Sequence, residues 1–249
     1  MKFSIFIPAR YASERLPGKV LLEINNKSIL QHAYECALKA EPDNIIIACD
    51  NPTVAEHAVN LGAKVIMTEP NLPNGTARIA EALKNLNFND DDIIVNLQAD
   101  EIMLPREYIH RAAQGLAKNL ECAIATLAKP IKDLESLLDP NIVKVVKSLD
   151  DSALYFSRSP IPHIRNGLNI QNFNKTKYWQ HIGLYAYRVS FLKKYNSLAP
   201  VEAELAESLE QLRALYHGFK IHVSEVSELP TLEINTANDL ERARLMLEL

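Results

Sequence analysis

The chain has 249 residues, 47% hydrophobic and 23% charged, with a formal net charge of -4 at pH 7. The composition is that of a globular protein with a sizeable core, and the mild negative charge gives no reason to expect nucleic acid as a partner. Three cysteines, Cys36, Cys49 and Cys122, lie far apart without a CxxC, which excludes a finger-type zinc site and reads as reduced thiols of a cytoplasmic protein. The opening MKFSIFIP is too short for a signal peptide, and no apolar run is long enough to span a membrane.

Short apolar runs alternate with amphipathic stretches from the start. Residues 3–7 read as a first strand, bounded by Pro8. Residues 29–38 place Ile29, Ala33, Cys36 and Ala37 on one helical face, with Ser28 as the cap. A strand at 45–49, a helix at 52–61 stopped by Gly62, a strand at 64–67, a helix at 76–86 entered through Asn74-Gly75 and a strand at 93–97 follow. This rhythm argues for an open, mostly parallel, Rossmann-like α/β sheet with helices on both faces. Beyond it, residues 123–127, 143–146, 153–157 and 183–187 read as strands with little helix between them, and 160–177 as a flap rich in Pro, Asn and Gly. Helical pattern returns at 202–216 and 237–248. The expectation is one domain over 1–249, in two halves, 1–120 and a smaller strand-rich 121–249.

Arg10, Arg15 and Lys19 gather on the loop after the first strand of an acidic chain. In parallel sheets that edge is where ligands sit, so these cations can converge on one anion; composition alone favours a solvated basic loop. Neither GxGxxG nor GxxxxGK[ST] is present, which counts against a dinucleotide oxidoreductase and a P-loop NTPase.

The segment IPARYASERLPGK resembles the signature loop of the sugar-activating cytidylyltransferases. NGTAR and NLQADE, then VKVV, ALYFSRSPIP, HIGLYAYR and LEQLRALYHGFKI, follow in order over nearly the whole chain. Together they resemble the 3-deoxy-manno-octulosonate (Kdo) cytidylyltransferase family. The resemblance implies the reaction CTP + Kdo → CMP-Kdo + diphosphate, for lipopolysaccharide assembly in the cytoplasm, by a homodimer using Mg²⁺. It implies that Arg10 and Lys19 hold the triphosphate with Arg15 in support, and that Pro8 and Ala9 read the cytosine edge. Asn74, Gly75, Thr76 and Arg78 form a base and ribose turn, and Gln98 lies between nucleotide and sugar. Lys19, Arg10 and Asp100 are then the catalytic set, with Asp100 and the residue at 235 binding metal. Arg158, as partner of the sugar's carboxylate, and His181, Tyr185, Glu210 and Gln211 are the sugar contacts, which makes 1–120 the nucleotide-binding half and 121–249 the half for sugar binding and dimerisation. Out of that context Asp100 reads as a helix cap ahead of Pro105, Asn74-Gly75 as a plain turn, His181 as a core histidine and Glu210 as a surface charge.

The chain departs from the family pattern at Glu14, Asn74, Ala77, Ala99 and Asn235. Asn235 stands where the family has a second metal-binding Asp, and Glu233 lies nearby. Ala99 replaces a glycine, and Glu14 adds negative charge beside the proposed triphosphate loop. These departures admit an enzyme acting on an amino analogue of Kdo, or a weakly active or non-catalytic paralogue that binds nucleotide or sugar.

Overall fold

The computed structural model describes residues 1–12, 16–227, 234 and 236–247. Arg15 and Asn235, with Glu14 and Glu233, lie outside the described residues. In chain order the strands are β1 (Ser4–Ala9), β2 (Glu23–Ile24), β3 (Lys27–Ser28), β4 (Asn44–Cys49), β5 (Lys64–Met67), β6 (Ile93–Asn96), β7 (Ile124–Pro130), β8 (Lys144–Lys147), β9 (Ala153–Ser157), β10 (Trp179–Arg188) and β11 (Ile221–Glu225). The helices are α1 (Ile29–Lys39), α2 (Pro52–Asn60), α3 (Gly75–Leu83), α4 (Arg106–Lys118), α5 (Leu134–Leu138), α6 (Ile170–Phe173), α7 (Val189–Tyr195), α8 (Glu202–Glu207), α9 (Gln211–Tyr216) and α10 (Ala237–Leu247).

The helix starts follow from short polar side chains. Ser28 accepts from Gln31 N at 3.0 Å, Asn51 from Thr53 N at 2.8 Å and Asn74 from Ala77 N at 2.8 Å, each satisfying a donor the helix cannot. The main sheet runs β11-β7-β10-β6-β1-β4-β5, with the β8–β9 hairpin joined to β10. β1 is parallel to β4 and β6, β4 to β5, and β7 to β11. β10 is antiparallel to both β6 and β7.

Alternation along β1 divides the core in two. Ile5 and Ile7 join Leu30, Ile47, Ile109 and Leu116 on the side covered by α1, α2 and α4. Phe6 faces the other way, onto Ile79, Leu83, Phe191 and Leu212 of α3, α7 and α9. A smaller cluster of Ile24, Ile29, Ile102, Ile234 and Leu240 seats α10 against the start of α1.

Several elements differ from the sequence reading. Helix α4, which that reading passes over, buries Tyr108, Ile109, Ala112, Ala113 and Leu116 at helical spacing. β11 and α7 are likewise additional. The single helix expected over 202–216 is two, because Ser208 adopts φ 51° and turns the chain between α8 and α9.

Candidate active site

The sheet order reverses at β1: β4 and β5 lie to one side, β6 to the other. The crevice at the carboxyl ends of β1 and β6 is where an open parallel sheet binds its ligand. The loop leaving β1 closes on itself through Gly18 N, which donates to Tyr11 O at 3.2 Å, with Gly18 at φ 66°. That closure delivers Lys19 to the turn after β6. Its Nζ meets Asp100 Oδ2 at 2.5 Å and donates to Ile234 O at 2.8 Å. Ile234 N in turn donates to Asp100 O at 3.1 Å, so Lys19, Asp100 and Ile234 are knitted at one point.

Pro8, Gly75 and Gln98 also converge. A Cβ on Gly75 would stand 3.1 Å from Pro8 Cγ and 3.6 Å from Gln98 Oε1, so the absence of a side chain lets the start of α3 approach the loop. Pro8 and Ala9 are buried and Arg10 is exposed at the end of β1. Asn74 caps α3 with its oxygen and donates its amide to Tyr195 Oη at 2.9 Å. Thr76 bonds Tyr187 Oη and donates to Glu210 Oε1 at 3.0 Å.

Arg78 is turned fully inward. It donates to Thr68 Oγ1 at 2.6 Å and pairs with Asp50 Oδ2 at 2.9 Å, while Asp50 Oδ1 accepts from Tyr11 N at 3.0 Å. Burial lowers the Arg78 pKa; Asp50 opposes the shift and the charge of Arg10 adds to it. Asp50, which sequence reasoning missed, therefore ties the cation of the NGTAR turn to the backbone of the loop after β1.

Beside the Asp100 turn opens a cleft of about 350 Å³, whose lining includes Glu101, His181, Tyr185 and Gln211. His181 exchanges a hydrogen bond with Thr126 Oγ1 at 2.9 Å, and its burial pushes the imidazole down to about 3, so it is neutral. Burial holds the Tyr185 hydroxyl well above its ordinary value. Glu210 does not line this cleft; its carboxyl is shut off from solvent behind Thr76, and burial raises its pKa. Arg158 spends its guanidinium on main-chain carbonyls of residues 140 and 207. Lys129, Asn141 and Gln180 line the cleft without having been foreseen; Lys129 and Gln180 are register partners across β7 and β10, a pairing that no local pattern reveals.

Among the described residues no group of three or more His, Cys, Asp or Glu could hold a metal ion. A single carboxylate with substrate phosphates and water is nevertheless an ordinary donor set for Mg²⁺, and Asp100 fits it. No described helix is long and apolar enough to cross a membrane.

Comparison with known proteins places the chain. A family model described as cytidylyltransferase matches residues 4–221. The 3-deoxy-manno-octulosonate cytidylyltransferase of Thioalkalivibrio sulfidiphilus is 44% identical over 248 residues, 99% of each chain. Its namesake from Haemophilus influenzae (strain PittEE) is 46% identical over 252 residues, again 99% of each. A solved structure of CMP:2-keto-3-deoxy-manno-octonic acid synthetase complexed with CTP superposes with a TM-score of 0.90 at 39% identity, covering 100% of this chain and 99% of that one.

Proposed function

The chain belongs to the cytidylyltransferase family, among its 3-deoxy-manno-octulosonate members, and from that premise we propose that it activates Kdo: CTP + Kdo → CMP-Kdo + diphosphate. The observation that carries the reading is the meeting of Lys19 with Asp100 at the carboxyl ends of β1 and β6, beside the His181–Gln211 cleft. A nucleotide lying across the crevice has its phosphates at Lys19 and its sugar partner in the cleft.

The work of such a site is alignment and charge neutralisation. Lys19 and exposed Arg10 meet the triphosphate, and Lys19 is placed to stabilise charge that grows on it as the bond to diphosphate breaks. Pro8, Gly75 and Gln98 form the contact surface for the base and ribose. Neutral His181 and the Tyr185 and Gln211 side chains offer hydrogen bonds to a polyhydroxylated acid without titrating near neutral pH. Asp100 would hold Mg²⁺, which when bound neutralises phosphate charge and lowers the pKa of a hydroxyl. Ile234, whose N donates to Asp100 O at 3.1 Å, precedes Asn235 in the sequence, and Asn235 is the second ligand this reading assigns to the ion. The same reading takes the protein as a cytoplasmic homodimer serving lipopolysaccharide assembly.

A substrate panel tests it, with diphosphate release as the readout: CTP against UTP, and Kdo against its amino analogue and sialic acid. The fastest release is expected from CTP with Kdo in the presence of Mg²⁺. Faster release with the amino analogue would reassign the sugar, and nucleotide binding without release for any sugar acid would make the protein a binding paralogue.

A further inference from the structure

The resemblance offers Arg158 as partner of the sugar's carboxylate, but the structure gives its side chain a different task. Nε donates to Glu207 O at 2.7 Å and Nη1 to Pro140 O at 3.0 Å. The Arg158 main-chain N donates to Glu207 Oε2 at 2.8 Å, and Ser157 Oγ to Glu207 Oε1 at 2.6 Å, which fixes the end of β9 against α8. A second cation acts on the same turn. Lys144 is fully buried, and its Nζ donates to Asp139 O at 2.9 Å and Ile142 O at 2.7 Å. Carbonyls 139, 140 and 142 thus accept from two charged side chains at the start of β8 and the end of β9.

This turn is a wall of the cleft. Asn141 and Val143 line it, and Val143 O accepts from His181 N at 2.8 Å, so the turn's position sets that of His181 on β10. Turn carbonyls lack the ladder partners of a strand and need donors from elsewhere. A guanidinium with several donors in a rigid fork, and a buried ammonium with three, hold them in one geometry.

We propose that Arg158 and Lys144 are positioning residues for sugar binding: they brace the 139–143 wall through its carbonyls, and Arg158 acts on the sugar through Asn141 and His181 without meeting the carboxylate. This rests on the reading that the cleft takes the sugar acid.

The test uses two probes in the full-length protein, an unreactive 2-deoxy form of Kdo and its carboxamide, each as a competitive inhibitor against Kdo. Loosening the wall misplaces the hydrogen-bonding groups on it, and a lost hydrogen bond is worth about tenfold in affinity, so Arg158→Met is expected to weaken acid and amide by the same factor, at least about tenfold. Arg158→Lys keeps the charge but cannot span both carbonyls, and is expected to do the same. Lys144→Met, at a position no sugar can reach, is expected to weaken both probes together and keeps the test alive if Arg158→Met does not fold. In the absence of any sugar, hydrogen exchange at the Ile142 and His181 amides is expected to quicken in each variant. Weakening confined to the acid, rescue by Arg158→Lys, or unchanged exchange and unchanged inhibition in Lys144→Met would overturn the proposal. Failure of the wild-type protein to bind the acid at all would instead defeat the functional reading, and the exchange measurement would still judge the brace.

Discussion

His181 and Arg78 show how far burial governs the chemistry of single residues here. The unfolded chain protonates His181 near its ordinary value of 6.5, whereas the native imidazole refuses the proton until about pH 3. Between those values the unfolded state binds more protons, so His181 makes stability fall as pH drops below ~6.5 and contributes no pH dependence above it. In the free protein its ring resonances should stay flat by NMR from pH 8 to pH 5; a midpoint near 6.5 would contradict the burial argument. Arg78 presents the opposite situation, a charge kept inside by a partner. Asp50→Asn removes that carboxylate and leaves a buried guanidinium uncompensated, so denaturant unfolding should show a loss of about 3–5 kcal/mol, the range seen for broken buried pairs; a loss below ~1 kcal/mol would mean the pair is solvated in solution. The sequence pointed to Lys19 and Asp100 because each stands in a segment with a family counterpart. It could not show that Arg78 turns inward, since an arginine in the first turn of a helix reads the same whether it faces ligand or core, and its partner Asp50 comes from a different loop.

At the level of elements, the first half of the sheet was legible because each strand is a short apolar run between polar caps. Ser28, Asn51 and Asn74 mark helix starts with side chains that do in the structure what their chemistry suggests. The break at Ser208 was not legible. Its neighbours Leu205, Leu209 and Leu212 keep a helical spacing, and an exposed serine gives no hint of a left-handed backbone. The break is a helix C-cap: Leu209 N returns to Glu204 O at 3.1 Å, and Glu204 then grips Arg213 of α9 through two buried hydrogen bonds of 2.8 and 2.6 Å. Glycine adopts that conformation freely and a β-branched residue does not. Ser208→Gly should therefore raise the melting temperature or leave it unchanged, and Ser208→Val should lower stability by about 1–2 kcal/mol. Equal melting temperatures for the two variants would show that the left-handed cap is absent in solution. Helix α4 was legible and overlooked: Tyr108, Ile109, Ala112, Ala113 and Leu116 repeat at helical spacing directly after Pro105.

Across the whole molecule, the alternation of strands and helices was enough to give the fold class, and the neighbour relations were not contained in it. β10 returns from the second half of the chain to lie antiparallel between β6 and β7, so Tyr185 stands opposite Asn96 at the end of the strand that leads to Asp100. Period-two patterning says which face a residue occupies but never which strand lies beside it. That insertion is what sets a cleft built from β10 and α9 next to the crevice at β1 and β6, within one sheet. The most direct measurement is a crystal structure of the protein with CTP. The triphosphate is expected at Lys19 and Arg10 beyond the ends of β1 and β6, with the α-phosphate toward Asp100 and the His181–Gln211 cleft. Density for the nucleotide elsewhere, with Lys19 and Asp100 still paired and the crevice lacking it, would contradict the account.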